Sequence, residues 1–122
     1  MDKNRRTILL TEDEALIGFD LQDALVAAGY GIAGPAGSCA EALSWLKDNE
    51  PDVAILDVML RDGPCTTIAR ELQRRGIPFL VYSGDRQQEA APELRNVRWL
   101  EKPAAHQELL KALSQVLGPA GD

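Results

Sequence analysis

Five side chains in this sequence carry chemistry that makes sense only if they meet: Glu12, Asp13, Asp57, Ser83 and Lys102. Each stands at, or just past, the end of a short apolar run. Glu12 and Asp13 follow TILLT (7–11), Asp57 closes DVAILD (52–57), Ser83 follows PFLVY (78–82), and Lys102 comes just after Val97 to Leu100. Two carboxylates about 4 Å apart repel by roughly 4 kcal/mol at an effective dielectric of about 20. Three in one place therefore need cations. Lys102 brings one positive charge. A hard divalent ion held by carboxylate oxygens brings more, and magnesium favours few protein ligands plus a phosphate. The hydroxyl of Ser83 and the ammonium of Lys102 suit the remaining oxygens of a phosphoryl group. The set reads as magnesium-assisted phosphoryl transfer onto a carboxylate nucleophile. Taken singly, acidic residues at strand ends, Lys-Pro dipeptides and Ser-Gly turns are all common. The joint placement is what informs.

The elements that must position these residues follow from patterning. TILLT and DVAILD are continuous apolar runs of strand length, as expected for strands buried on both faces. Tyr30 to Ala33 is a weaker strand, closed by Gly34-Pro35; PFLVY is a fourth and Val97 to Leu100 a fifth. Between them lie helical faces. Ile17, Leu21, Ala24, Leu25 and Ala28 line one helix, stopped at Gly29. Ser38, with Glu41 three residues on, caps a second helix with Cys39, Ala42, Leu43 and Leu46 on its apolar face. Gly63-Pro64 is a turn that opens a third, with Pro64 near its first position; Ile68, Ala69 and Leu72 form its face and Gly76 its stop. Residues 86–96 carry at most a turn or two of helix, broken by Pro92. The last helix bears Leu109, Leu110, Leu113, Val116 and Leu117, ended by Gly118-Pro119. The β-α alternation predicts an α/β protein with a parallel sheet covered by helices on both faces. In such sheets ligands bind beyond the carboxyl ends of the strands, where the five residues lie.

Composition narrows the classes. The chain has 122 residues, 45% hydrophobic, enough for one core. Its net charge of −6 argues against a nucleic-acid surface. Cys39 and Cys65 form no CxxC, and His106 is the one histidine, so a zinc site lacks ligands. The cysteines read as buried or half-buried free thiols. Trp45 reads as a cover for the outer side of the second helix. The amino terminus is polar and no apolar run reaches membrane-spanning length, so a cytoplasmic location, away from membranes, is expected. Gly29 to Gly34 matches G-x-G-x-x-G as a string, but it follows a helix and runs into Pro35, the wrong context for a dinucleotide site.

The pieces LLTEDE, ILDVMLRDG, YSGD and LEKP resemble the receiver domain of two-component response regulators. The resemblance runs from about Thr7 to Leu117. It implies a flavodoxin-like, three-layer receiver fold, a five-stranded parallel sheet in the order 2-1-3-4-5, with residues 1–122 as one receiver domain and its core at about 7–117. It implies that Asp57 is the phosphoacceptor, that Lys102 and Ser83 bind the phosphoryl group, and that Mg2+ sits on Glu12, Asp13, Asp57 and the backbone carbonyl of Met59. It also implies a cis-type Lys102-Pro103 bond. The phosphoryl donor would be a histidine kinase or histidine phosphotransfer protein. A downstream protein partner, or a phosphorylation-dependent homodimer, would read the state. No enzymatic activity is expected beyond self-phosphorylation from a phosphodonor and autodephosphorylation.

The chain departs from the family pattern in places. Glu12 stands where Asp is more frequent. Trp99 occupies the switch position, three residues before the lysine, where the family has Tyr or Phe; Ser83 is its partner in switching. The stretch between Ser83 and Trp99 is short, so the fourth helix is expected to be reduced. Because indole is bulkier than phenol and its N–H needs a partner when buried, Trp99 is expected to stay partly exposed. Two other classes compete. An aspartate-nucleophile phosphohydrolase of the haloacid-dehalogenase type would need a second carboxylate two residues after Asp57, where Met59 stands. A pseudo-receiver that binds partners without phosphorylation would have no need of Asp57, Ser83 and Lys102 together. His106 reads as an exposed helix residue.

Overall fold

Along residues 8–11, 53–57 and 79–83, successive side chains part to opposite faces, and both faces are dry. The computed structural model describes residues 5–118; the polar start of the chain and Pro119 lie outside them. Strand β1 (Thr7–Thr11) is followed by helix α1 (Ala15–Ala27), β2 (Gly31–Ala36), α2 (Cys39–Asp48) and β3 (Val53–Leu56). A small hairpin of β4 (Met59–Leu60) and β5 (Gly63–Pro64) leads to α3 (Thr66–Arg75). Then come β6 (Phe79–Ser83), two short 3-10 turns (Gln87–Glu89 and Pro92–Leu94), β7 (Arg98–Glu101) and α4 (His106–Leu117).

The five long strands make one sheet in the order β2-β1-β3-β6-β7, all neighbours parallel. This is the predicted order. Ile8, Leu10, Val53, Ile55, Leu80 and Tyr82 face one way, onto Leu21 and Leu25 of α1 and Leu109 and Leu113 of α4. Leu9, Ala54, Leu56, Phe79 and Val81 face the other way, onto α2 and α3. Fully burying a Leu or Ile side chain stabilises by about 1.5–3 kcal/mol, and both faces of β1, β3 and β6 do so. That is why these strands read as unbroken apolar runs rather than alternating ones.

Order reverses between β1 and β3: from β1 the chain steps outward to β2, then returns across β1 to β3. The crevice at such a switch point is where an open α/β sheet binds ligands. It is framed by the residues after β1 and after β3.

Three local readings need correction. Gly34-Pro35 does not close β2; the strand runs through it to Ala36, with a register shift against β1 between Leu9 and Thr11. A proline is tolerated because β2 is an edge strand, and Gly34 sits at φ +109, where an added Cβ would lie 2.4 Å from the Leu10 carbonyl oxygen. Pro64 does not open α3; it pairs with Met59 in the hairpin, and Cys65 precedes the helix. The segment between β6 and β7 holds two 3-10 turns and no α-helix, a stronger reduction than a turn or two of helix. The Gly34–Pro35 and Lys102–Pro103 peptides are cis.

Candidate functional site

The carboxyl edge of the sheet gathers the predicted residues. Glu12 follows β1 and its backbone N–H is held by the Ala36 carbonyl at 2.9 Å. Asp57 follows β3, its N–H donating to Thr11 Oγ1 at 3.1 Å, while that hydroxyl donates to the Ile55 carbonyl. Lys102 follows β7, its N–H donating to the Ser83 carbonyl at 2.9 Å. The strands thus aim these three side chains through hydrogen bonds from their backbone N–H groups to neighbouring strands. Lys102 Nζ reaches Glu12 Oε1 at 2.7 Å and Asp57 Oδ2 at 3.1 Å. Glu12 and Asp57 are buried, and Asp13 is exposed at the rim. One carboxylate oxygen from each of Glu12, Asp13 and Asp57 lies within 4.8 Å of the others.

The electrostatics are those of a crowded anionic site. Burial pushes the Glu12 carboxyl above its usual range; the hydrogen bond from Lys102 opposes this, and the Asp57 charge adds to it. For Lys102, burial works to lower the pKa, but the hydrogen bond to Glu12 and the charges of Asp57 and Glu12 outweigh it, so the ammonium is held above its ordinary value. Lys102 also lies 5.6 Å from the centre of the Tyr82 ring. Three carboxylates against one ammonium leave net negative charge in a half-closed crevice.

This donor set fits magnesium. All its groups are hard oxygens. With metal–oxygen bonds of about 2.1 Å, ligand oxygens on one octahedral ion stand about 3 to 4.2 Å apart, close to the separations of up to 4.8 Å among these carboxylates. Glu12, Asp13 and Asp57 would hold the ion. Met59 belongs to the hairpin just past Asp57, its side chain exposed.

Ser83 ends β6, 1% exposed. Its Oγ accepts the N–H of Asp85 at 3.1 Å. Trp99 does not remain partly exposed: it is 9% accessible and packs with the α2 and α3 core. Its Nε1–H donates to the Asp85 carbonyl at 3.2 Å, so the buried indole finds its partner in the shortened connection after β6. Beside it opens a cleft of about 630 Å³ bordered by Gln87, Arg95 and Glu101. His106 is exposed and touches Asp20 of α1 at 2.8 Å. Cys39 and Cys65 are free and buried, and desolvation pushes the Cys65 thiol up to about 12. Trp45 is partly buried against the same core.

Sequence reasoning missed three contributors. Thr11 supplies the hydroxyl that fixes the Asp57 backbone; a polar residue ending a buried apolar run beside an acidic pair was the available signal. Tyr82 lies beside Lys102 and its hydroxyl accepts the Ala104 N–H at 3.2 Å. Asp62 sits at the tip of the hairpin and accepts two backbone N–H groups of α2; the turn residues Asp62 and Gly63 are the available signal for a tight turn at this point.

With fold and site geometry together, the class is settled. Residues 8–114 match the response regulator receiver domain family, and the chain belongs to that family. The transcriptional regulatory protein PdtaR of Mycobacterium tuberculosis is 34% identical over 114 residues, covering 88% of this chain and 55% of that protein. The chain thus spans about half the length of this curated relative. The solution structure of SdrG from Sphingomonas melonis superposes with a TM-score of 0.81 at 34% identity, covering 95% of this chain and 99% of that one. The receiver domain of the PhyR response regulator from Erythrobacter litoralis shares the fold, with a TM-score of 0.84 at 22% identity over all of this chain and 97% of that one. Among the described residues no helix is long and apolar enough to cross a membrane.

Proposed function

We propose that this receiver takes a phosphoryl group on Asp57 from the phosphohistidine of a kinase or histidine phosphotransfer protein, with Mg2+ as cofactor. The observation that carries the reading is the Lys102 ammonium bridging Glu12 and Asp57, with Asp13 beside them. An Asp57 carboxylate oxygen attacks phosphorus, the P–N bond breaks, and its electron pair returns to the imidazole nitrogen. Lys102 stands where it pairs with a phosphoryl oxygen in place of a carboxylate. Magnesium, when bound, neutralises charge shared by the acceptor and the phosphoryl oxygens. Ser83, 1% exposed beside this edge, gives its hydroxyl to a phosphoryl oxygen and thereby weakens its hold on the Asp85 N–H. Asp85 in turn holds Trp99, so Ser83 and Trp99 form the switch pair. A downstream protein, or a second copy of the chain, reads the change. The chain turns over no substrate beyond its own phosphorylation and dephosphorylation.

The test is intact-mass spectrometry after incubation with a small-molecule phosphodonor and Mg2+. One phosphoryl group is expected on the wild type and none on Asp57→Asn, whose neutral amide is a poor nucleophile. Equal labelling of the two would move the acceptor elsewhere. No labelling of either, with partner binding intact, would leave a phosphorylation-independent binding module.

A further inference from the structure

The connection after β3 folds into a hairpin, and the hairpin is fastened at both ends. At its base, the Cys65 N–H donates to the Val58 carbonyl at 2.8 Å. At its tip, Arg61 and Asp62 form the two-residue turn between the paired Leu60 and Gly63, and Gly63 takes φ +131, a value that favours glycine. Antiparallel pairs alternate between hydrogen-bonded and non-bonded. Since Val58 and Cys65 are bonded, the next pair, Met59 and Pro64, is a non-bonded one. The Met59 carbonyl therefore turns away from its ladder partner.

The tip is bolted to the neighbouring connection. The Arg61 N–H donates to the Gly37 carbonyl at 3.1 Å, and the Arg61 guanidinium pairs with Glu41. Asp62 Oδ1 accepts the Cys39 N–H at 2.7 Å and Oδ2 the Ala40 N–H at 3.0 Å. Helix α2 already has a cap of its own: Ser38 Oγ accepts the Glu41 N–H at 3.1 Å. Asp62 reaches α2 from 23 residues along the chain, and what it adds beyond the local cap is the position of the hairpin.

We propose that Asp62 is a positioning residue for the cation site. By clamping the hairpin tip to the start of α2, it fixes the segment that runs from Asp57 through Met59 relative to Glu12 and Asp13 across the crevice. This rests on the magnesium reading above. Groups that orient metal ligands without touching the ion typically change metal affinity 10- to 100-fold when removed.

The experiment is calorimetric titration of the folded protein with Mg2+ alone, at a temperature well below unfolding. Asp62→Ala should raise the Mg2+ Kd about tenfold or more. Ser38→Ala, which removes the local cap, should lower Tm and leave Kd within about twofold. Asp62→Asn, which keeps the shape but loses the charge that strengthens both bonds, should raise Kd by less than Asp62→Ala. If Asp62→Ala does not fold, Asp62→Asn decides, and a wild-type Kd in that variant overturns the proposal. A Kd raised equally by Ser38→Ala also overturns it, because the effect is then one of α2 alone. Absence of Mg2+ binding by the wild type overturns the magnesium reading itself, and the proposal with it, whereas normal wild-type binding with an unchanged Asp62→Ala overturns the positioning role alone.

Discussion

Two connections leave the same edge of the sheet, and they are built on opposite plans. The one after β3, residues 57–65, is tied to other elements: to β1 through Thr11 and to α2 through Arg61 and Asp62. The one after β6, residues 84–97, makes most of its hydrogen bonds within itself, although Ala90 and Leu94 enter the core. Gln87 Nε2 donates to the carbonyls of Leu94, Arg95 and Val97 at 3.2, 2.9 and 2.7 Å, and Arg95 Nε donates to the Ala90 carbonyl. Its links to the rest of the molecule include the Asp85 bonds to Ser83 and Trp99 and an exposed Arg70–Glu93 pair at 2.6 Å. A segment braced externally holds ligands at fixed separation. A segment whose hydrogen bonds are mostly internal, with Ala90 and Leu94 seated in the core, is suited to shift when one of its few external hydrogen bonds is exchanged. Under the function proposed above, cation binding would belong to the first connection and response to the second.

The largest effects should come from the leucine that each connection buries. Leu60, 3% exposed, anchors the hairpin, and Leu94, 1% exposed, anchors the second 3-10 turn; both enter the same core. Truncating either to alanine should cost about 2–5 kcal/mol, read by denaturant unfolding. The two should differ in Mg2+ affinity: Leu60→Ala weakens it, while Leu94→Ala leaves it unchanged in the folded protein. Equal Mg2+ Kd values in the two variants would erase the division of labour.

Magnesium itself comes next. An ion that binds the folded chain alone, present at 100 times its Kd, should stabilise by about 2.7 kcal/mol. The gain should vanish in Asp13→Asn combined with Asp57→Asn. A Tm that does not respond to a hundredfold range of Mg2+ would count against the whole cluster. Trp99→Phe should do less. It keeps an aromatic ring in the core but removes the bond to Asp85, a loss of about 0.5–1.5 kcal/mol for the hydrogen bond, with Mg2+ Kd unchanged. If this variant weakens Mg2+ binding, the two connections are not separable.

The same contrast explains what could be read from sequence. β1, β3 and β6 were legible because strands buried on both faces leave continuous apolar runs; Glu12, Asp13, Asp57 and Ser83 were legible because they stand at the ends of such runs, and Lys102 because it follows a fifth, more exposed strand. Gly29 and Gly76 marked helix ends for a local reason, positive φ. What was not legible depends on partners distant in sequence. Pro35 looked like a strand end because nothing local says that β2 is an edge. Asp62 looked like a turn residue because its two N–H partners lie in α2. Trp99 looked too large to bury because the core it joins is built by α2 and α3, distant in sequence, and its N–H partner, the Asp85 backbone carbonyl, has no side-chain signature.

The smallest predicted effect separates the two kinds of tie by acid and salt. Asp62 is held below its ordinary value of 3.8 by the N–H groups of Cys39 and Ala40. Glu93 is held below 4.5 chiefly by the Arg70 hydrogen bond. A depressed carboxyl adds stability that is fully present above its ordinary value and fades as pH falls through its folded value. Both contributions are therefore constant through the neutral range and are lost on the acid side, below about pH 5. Their salt dependence should differ. Screening shortens from about 10 Å at 0.1 M to about 3 Å at 1 M, and an exposed ion pair weakens accordingly. Backbone N–H groups are dipoles in direct contact with Asp62, so their hold should survive. Tm measured from pH 6 to pH 2.5 at both ionic strengths, on wild type, Asp62→Asn and Glu93→Gln, gives the answer. Glu93→Gln should flatten the acid limb at low salt and match the wild type at high salt. Asp62→Asn should flatten it at both. If salt abolishes the Asp62 difference as well, the hairpin is held by long-range charge rather than by contact, and the contrast between a bolted and a loosely tied connection fails at its most exposed point.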